Sequence, residues 1–236
     1  MCNNMKIRLF TVLFVLSSAF ASQAQEKGIY GGFGFFEFGF SQYNNGVLNN
    51  ALTANGYSGL GNSFVTTGGQ GFAIINNFII GGSGGSLGSQ SFGRDNTNGQ
   101  FNAGYGLFQL GYAFKSGKKG LLYPMVGFGA FTSSLQIEND LASGSLNTIL
   151  AIPNQVVNLR SDAAMLDMSL NYNITVFGDK SGNGGGGTMV GISAGAFFCP
   201  TPSTFYNNQR ELSVVPDYRP SGFYVRLKFG GGGYSR

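Results

Sequence analysis

Histidine is absent from this 236-residue chain, and so is tryptophan. Without an imidazole the commonest general base and a common zinc ligand are missing, which excludes much hydrolytic and metal-assisted chemistry. Charged side chains are scarce too, at 10% of the chain, where soluble domains carry about 25%. Beyond residue 24 no apolar run approaches the length of about 18 residues that a membrane helix needs. Proline numbers only 6 and cysteine 2. What the chain does have is 40 glycines, 23 phenylalanines and 11 tyrosines, with 42% hydrophobic residues. So many aromatics argue against disorder, and the glycines keep no three-residue period, which excludes a collagen-like chain.

The N-terminus reads as an export signal. Lys6 and Arg8 precede a mostly apolar stretch, 9–20, and Ser22-Gln23-Ala24 supplies small residues where a signal peptidase cuts. Cleavage is expected after Ala24, giving a signal peptide 1–24 and a mature domain 25–236. The apolar stretch is too short to span a bilayer, which takes about 20 residues. Cys2 lies ahead of it and so cannot be the lipid-bearing cysteine of a lipoprotein. The ending Ala-Ser-Gln-Ala-Gln resembles signal peptides of the Bacteroidota. Removing Lys6 and Arg8 lowers the net charge from +4 to +2, too little for a nucleic-acid partner. Cys199 alone remains, so no intrachain disulfide can form.

The mature chain alternates with a two-residue period, the signature of strands whose side chains point to opposite faces. Within 163–177, Ala164, Leu166, Met168, Leu170, Tyr172, Ile174 and Val176 share one face. Met165, Asp167, Ser169, Asn171, Asn173 and Thr175 share the other. Five further segments behave alike. In 29–41 Phe36, Phe38 and Phe40 oppose Glu37, Gly39 and Ser41. In 101–114 Phe108, Leu110, Tyr112 and Phe114 oppose Gln109, Gly111 and Ala113. In 121–133 Leu122, Val126 and Phe128 oppose Tyr123, Gly127, Gly129 and Ser133. In 188–198 Val190, Ile192 and Phe198 oppose Gly191, Ser193 and Gly195. In 222–230 Phe223, Val225, Leu227 and Phe229 oppose Tyr224, Arg226 and Lys228. Two weaker Gly- and Ser-rich candidates, 63–75 and 78–91, bring the expected strand count to eight.

Expected connections alternate in length. Long ones are 42–62, about 92–100, 134–162 and 199–221. Short ones are Asn76-Asn77, 115–120 and 179–187, rich in the Asn, Gly and Lys of tight turns. Such asymmetry suits an up-and-down barrel with short turns on one rim and long loops on the other. Closure has a physical cause, because in hydrocarbon each unpaired backbone group costs several kcal/mol and a spanning sheet must have no edge. The inward Gly, Ser and Ala fit a narrow lumen, since eight strands leave room for little besides side chains. Tyr30, Tyr112 and Tyr172 are candidates for interfacial girdles.

Export signal, eight alternating strands and loop asymmetry together resemble the small outer-membrane β-barrels of Gram-negative bacteria, of the OmpX and OmpA membrane-domain type. The resemblance covers essentially the whole mature chain and is architectural. It implies an all-β, eight-stranded antiparallel transmembrane barrel in the cell outer membrane, with lipid as a partner. The last strand of that family ends the chain on an aromatic residue. Here the strand is expected to end at Phe229, with 230–236 as a glycine-rich tail.

Glu37, Asp167, Arg226 and Lys228 are the charged residues inside the strands, and first and last strands must be neighbours in a closed barrel. A lumenal ion-pair network through Glu37 and Arg226 or Lys228 is therefore expected. The glycine clusters 81–85, 184–187 and 230–233 fit no phosphate-binding pattern, and Ser86 stands where a Ca²⁺-binding repeat needs Asp. Asn173-Ile174-Thr175 is a glycosylation sequon inside a strand. Cys199 is read as an inert thiol, and Lys115, Lys118 and Lys119 as a solvated turn. Glu138 and Asp140 form the only carboxylate pair suggestive of glycosidase work, at a spacing that argues against it. No enzyme, cofactor or metal is expected. The external loops carry what is left: a helix-like pattern over 45–60, and a strongly apolar stretch with Leu141, Leu146, Ile149, Leu150, Ile152, Val156 and Val157. That stretch is a candidate surface for an extracellular protein or host ligand. The reading is a non-enzymatic scaffold or adhesion-like barrel. Its rivals are a secreted soluble barrel carrying a small apolar ligand, or a narrow pore.

Overall fold

The computed structural model describes residues 28–95, 97–116, 120–139, 157–179, 184–207, 210–212 and 217–235. Its elements are β1 (Tyr30–Tyr43), helix α1 (Gly46–Ala54), β2 (Ser63–Ile75), β3 (Phe78–Arg94), β4 (Thr97–Tyr112) and β5 (Phe114–Ser116). They continue with β6 (Gly120–Asn139), β7 (Val157–Asp179), β8 (Gly184–Phe198), β9 (Thr204–Asn207), β10 (Arg210–Glu211) and β11 (Ser221–Ser235). Strands β1, β2, β3, β4, β6, β7, β8 and β11 pair in that order, and β11 pairs back onto β1 from Tyr30↔Ser235 to Tyr43↔Gly222. Every pairing is antiparallel and the ring of eight closes. The expected fold class stands, with one two-turn helix added where the 45–60 pattern placed it.

Alternation sorts the faces as the sequence reads them. Phe36 is 56% and Leu170 53% exposed on the outer wall, while Asp167, Asn171 and Lys228 are sealed within. Outward apolar side chains run along β1 from Tyr30 to Phe40, about 33 Å of strand and ~25 Å of height at the usual tilt. Tyr30, Phe78, Tyr112 and Phe114 gather outside the rim of short turns, Tyr112 lying 5.4 Å from Phe78 and 4.9 Å from Phe114.

That rim is built on Asn77. Asn76 and Asn77 adopt φ of +51° and +70°, the paired left-handed geometry of a two-residue hairpin turn. The Asn77 side chain accepts from Ile29 N at 2.8 Å and donates to Ala113 O at 3.0 Å. One residue thus makes the turn and fastens the starts of two other segments.

At the opposite rim the strands outrun their sequence signal. The expected loop 92–100 does not exist: β3 and β4 stay paired to Arg94↔Thr97 around a tight turn at Asp95, whose φ is +48°. Inward Phe92 and Phe101 hold this extension, while Gly, Ser and Asn elsewhere blur the alternation. Likewise β6 and β7 remain paired to Ile137↔Val157, so most of 134–162 outside the stretch 140–156 is sheet. The third loop, 199–221, contains the β9–β10 hairpin, which pairs with β7 over Leu159–Asp162. The glycine tail is strand as well, because 230–233 pair with both β1 and β8 and Tyr234 turns inward.

Candidate functional site: the barrel interior and its two ends

The interior has three layers. Toward the short turns, Ile29, Phe33, Phe35, Phe72, Ile74, Ile79, Leu121, Met125, Met189 and Tyr234 fill the bore. Phe33 and Phe72 meet at 5.4 Å, as do Phe72 and Tyr123. Toward the long loops lies a second plug, in which Tyr43 stacks on Phe131 at 5.5 Å and Phe131 on Phe197 at 5.9 Å. Leu52 of α1, Leu60, Phe205 and Tyr218 close over it from the loops. The lumen expected to hold small and polar groups is thus capped by aromatic rings at both ends. The strand pattern hid this because Phe33 and Phe35 have the inward parity and Phe36, Phe38 and Phe40 the outward one.

Between the plugs sits the polar layer. Glu37 is 2% exposed and Lys228 0%. Arg226 Nη1 lies 3.2 Å and Lys228 Nζ 3.8 Å from the Glu37 carboxylate. Lys228 also donates to Asn171 Oδ1 and, at 3.3 Å, to Tyr123 Oη, which accepts from Asn173 Nδ2 at 2.6 Å. Asp167 accepts from Tyr224 Oη at 2.8 and 3.1 Å. The Arg226 guanidinium lies 3.7 Å over the Tyr224 ring and 4.8 Å from that of Tyr105, a desolvated cation–π sandwich. All four charges that the sequence placed inside strands therefore occupy one buried layer, two acids against two cations. The phenols of Tyr123 and Tyr224, which sequence reasoning left as inward residues without a role, join the carboxamides and the acids to it. Their signal was available: both occupy the polar face of their strands.

The loop end is tied by hydrogen bonds. Asn44 N donates to Ser221 O at 2.9 Å and Cys199 N to Pro220 O at 2.8 Å. Asn49 bridges the 44–62 segment, donating to Leu60 O at 3.0 Å and accepting from Leu60 N at 2.7 Å. The Tyr43 and Tyr218 hydroxyls hydrogen-bond to each other. Burial pushes the Tyr218 phenol and the Cys199 thiol each up to about 12, so Cys199 stays a thiol at neutral pH.

The remaining sequence candidates separate. Leu141, Leu146, Ile149, Leu150, Ile152 and Val156 lie outside the described residues, as do Asp140, Lys118, Lys119 and the segment 1–24. Val157 is not a loop residue but the first of β7, opposite Ile137. Glu138 is on β6, on its exposed outer face.

No family model matches the chain, and no curated protein does. Among solved structures it is similar to Ail, the attachment invasion locus protein of Yersinia pestis, in complex with the heparin analogue sucrose octasulfate. That match has 12% identity and a TM-score of 0.47, covering 86% of this chain and 98% of that one. Neisserial surface protein A matches at 10% identity and a TM-score of 0.37, over 89% of this chain and 99% of that one. The outer membrane protease OmpT of Escherichia coli matches at 10% identity and 0.31, over 89% and 95%. These are distant likenesses.

Glu37→Gln leaves Arg226 and Lys228 buried against a neutral amide. Urea unfolding of the refolded protein is expected to show a loss of about 3–5 kcal/mol, the cost of breaking a buried pair from one side; a loss under about 1 kcal/mol would show the layer to be energetically idle. With an aromatic plug at either end, planar-bilayer recordings are expected to show no steady conductance, and large reproducible openings would contradict the plugged interior.

Proposed function

We propose that residues 1–24 direct export and that the mature chain, 25–236, resides in the outer membrane as a non-enzymatic scaffold whose loop end makes surface contacts. The observation that carries this reading is the inverted polarity of a closed sheet. Leu166, Met168, Leu170, Phe223, Val225, Leu227 and Phe229 face outward, while Glu37, Asp167, Arg226 and Lys228 face inward. A water-soluble carrier has the opposite order, so exposing this belt to water would be unfavourable, at roughly 25 cal/mol per Å² of apolar surface. Ring closure leaves no unpaired strand edge along the belt, as hydrocarbon demands. Absence of histidine, and engagement of the buried Glu37 and Asp167 carboxylates by two cations and a phenol, support a role other than catalysis.

The surface-contact part of the reading rests on 140–156, whose Leu141, Leu146, Ile149, Leu150, Ile152 and Val156 are too apolar for a simple solvated connection. An extracellular protein or host ligand is the partner class this chemistry suits.

Leu170→Arg puts a charge in the middle of the belt. In phospholipid vesicles it is expected to destabilise the fold by about 2–4 kcal/mol, with wild type needing detergent for extraction and showing heat-modifiable gel mobility; a neutral effect and extraction by salt alone would overturn the membrane location. Replacing 141–156 with a short Gly/Ser linker is expected to preserve heat-modifiable mobility while abolishing binding of expressing cells to immobilised extracellular-matrix protein. Unchanged cell binding would remove this loop from the function.

A further inference from the structure

The outer wall above the apolar belt is organised in rows, because residues paired across antiparallel strands share a face. On β4, β6 and β7 the lower rows are Leu110–Val126–Met168 and Phe108–Phe128–Leu166, followed by Gly106–Ala130–Ala164. Then the chemistry changes. The next rows are Gly104–Thr132–Asp162, Asn102–Ser134–Arg160 and Gln100–Gln136–Asn158, with Asn98–Glu138 beyond them. Ser91 of β3 extends the Gln100 row by one strand. Here a groove of about 210 Å³ opens, lined by Ser91, Asn98, Gly99, Gln100, Gln136 and Glu138.

Two features identify what would fit there. The first is charge. Asp162 engages Arg160 at 3.0 Å and Thr132 at 2.7 Å, so the ionic groups nearest the belt satisfy each other. In the groove itself Gln136 donates to Glu138 at 2.9 Å, and the rest is carboxamide and hydroxyl. Such groups both donate and accept, matching sugar hydroxyls rather than phosphate.

The second is height. Gln100 stands three rows beyond Gly106, about 20 Å along the strand and ~14 Å above the apolar edge at a 45° tilt. Phospholipid headgroups occupy only about 5–8 Å on each side of the hydrocarbon. The groove also opens sideways, on the same wall as the belt. An occupant anchored in the adjoining leaflet must therefore carry several sugars to reach it.

We propose that this groove binds the oligosaccharide headgroup of a glycolipid in the surrounding outer leaflet. The proposal rests on the outer-membrane reading above. Gln100 and Gln136 are the principal contacts, and Ser91 and Asn98 complete the edge.

The test uses the full mature protein in nanodiscs of phosphatidylethanolamine and phosphatidylglycerol, with and without purified lipopolysaccharide bearing its core sugars. The readout is the fraction retaining one lipopolysaccharide after transfer to mild detergent, by native mass spectrometry. Wild type is expected to retain it, and Gln100→Ala combined with Gln136→Ala to lose retention about tenfold or more. Lipopolysaccharide truncated to its lipid-proximal sugars is expected to be lost as well. Equal retention by wild type and variant, or of the truncated lipid, would overturn the proposal. So would equal competition by the deacylated core oligosaccharide, which would make the ligand a soluble sugar. Heat-modifiable mobility checks that the variant is folded. Insertion without lipopolysaccharide discrimination refutes this proposal alone, whereas failure to insert refutes the membrane reading with it.

Discussion

Everything in the molecule depends on the seam between β1 and β11. An open eight-stranded sheet would leave two rows of backbone donors and acceptors unpaired, and in hydrocarbon no solvent could satisfy them. The seam pairs fourteen residues of β1, from Tyr30↔Ser235 to Tyr43↔Gly222. It is also what makes an inside and an outside, and so converts a two-residue sequence period into an apolar outer wall and a packed bore. Cys199 is a free thiol among the described residues, and closure and interior packing carry the stability of the ring between them.

Glycine abundance follows from filling that bore. Eight strands leave a space narrow enough that an inward ring must lie against the neighbouring backbone. A Cβ on Gly195 would fall 2.6 Å from the Tyr224 hydroxyl, and one on Gly99 2.2 Å from the Phe92 ring. Gly230 and Gly232 stand in the same relation to Phe35 and Phe33, at 2.8 and 2.7 Å. The aromatic and the glycine are thus a single packing unit split across two strands. For these inward rings and the glycines that face them, one explanation serves both.

This explains which parts of the structure were legible in the sequence. Faces of β7 and β11 were plain because every second residue is large and apolar while the others are polar. Topology followed from connection lengths, and the meeting of Glu37 with Arg226 from closure alone. The ends of β3, β4, β6 and β11 were not legible. There the outward row is mostly Gly, Ser, Asn or Gln, and at the end of β3 the inward ring of Phe92 is matched to Gly99 on its neighbour. A one-strand pattern cannot show a two-strand unit. The aromatic plugs were missed for the same reason, and the roles of Tyr123 and Tyr224 because a phenol on a polar face reads as packing until its partners are located. The amide rows on the outer wall needed register, since Gln100 and Gln136 are distant in sequence and adjacent only through pairing.

Register is also what the buried charges specify. Replacing such a group by apolar residues is often neutral or stabilising, so the charges are poorly explained as a source of net stability. Their effect is clearer against the alternatives. Slipping β11 by one residue along β1 would turn Arg226 and Lys228 outward, where each cation costs about 2–4 kcal/mol near the middle of the bilayer. The same slip would bring Phe223, Val225 and Leu227 into the bore and leave Glu37 facing a leucine. In a strand as glycine-rich as β11, where backbone pairing alone distinguishes registers weakly, those penalties fall on every slip by an odd number of residues. Glu37 sits on the first strand of the barrel and its partners on the last, so the interaction that sets the register acts at the seam that closes the ring.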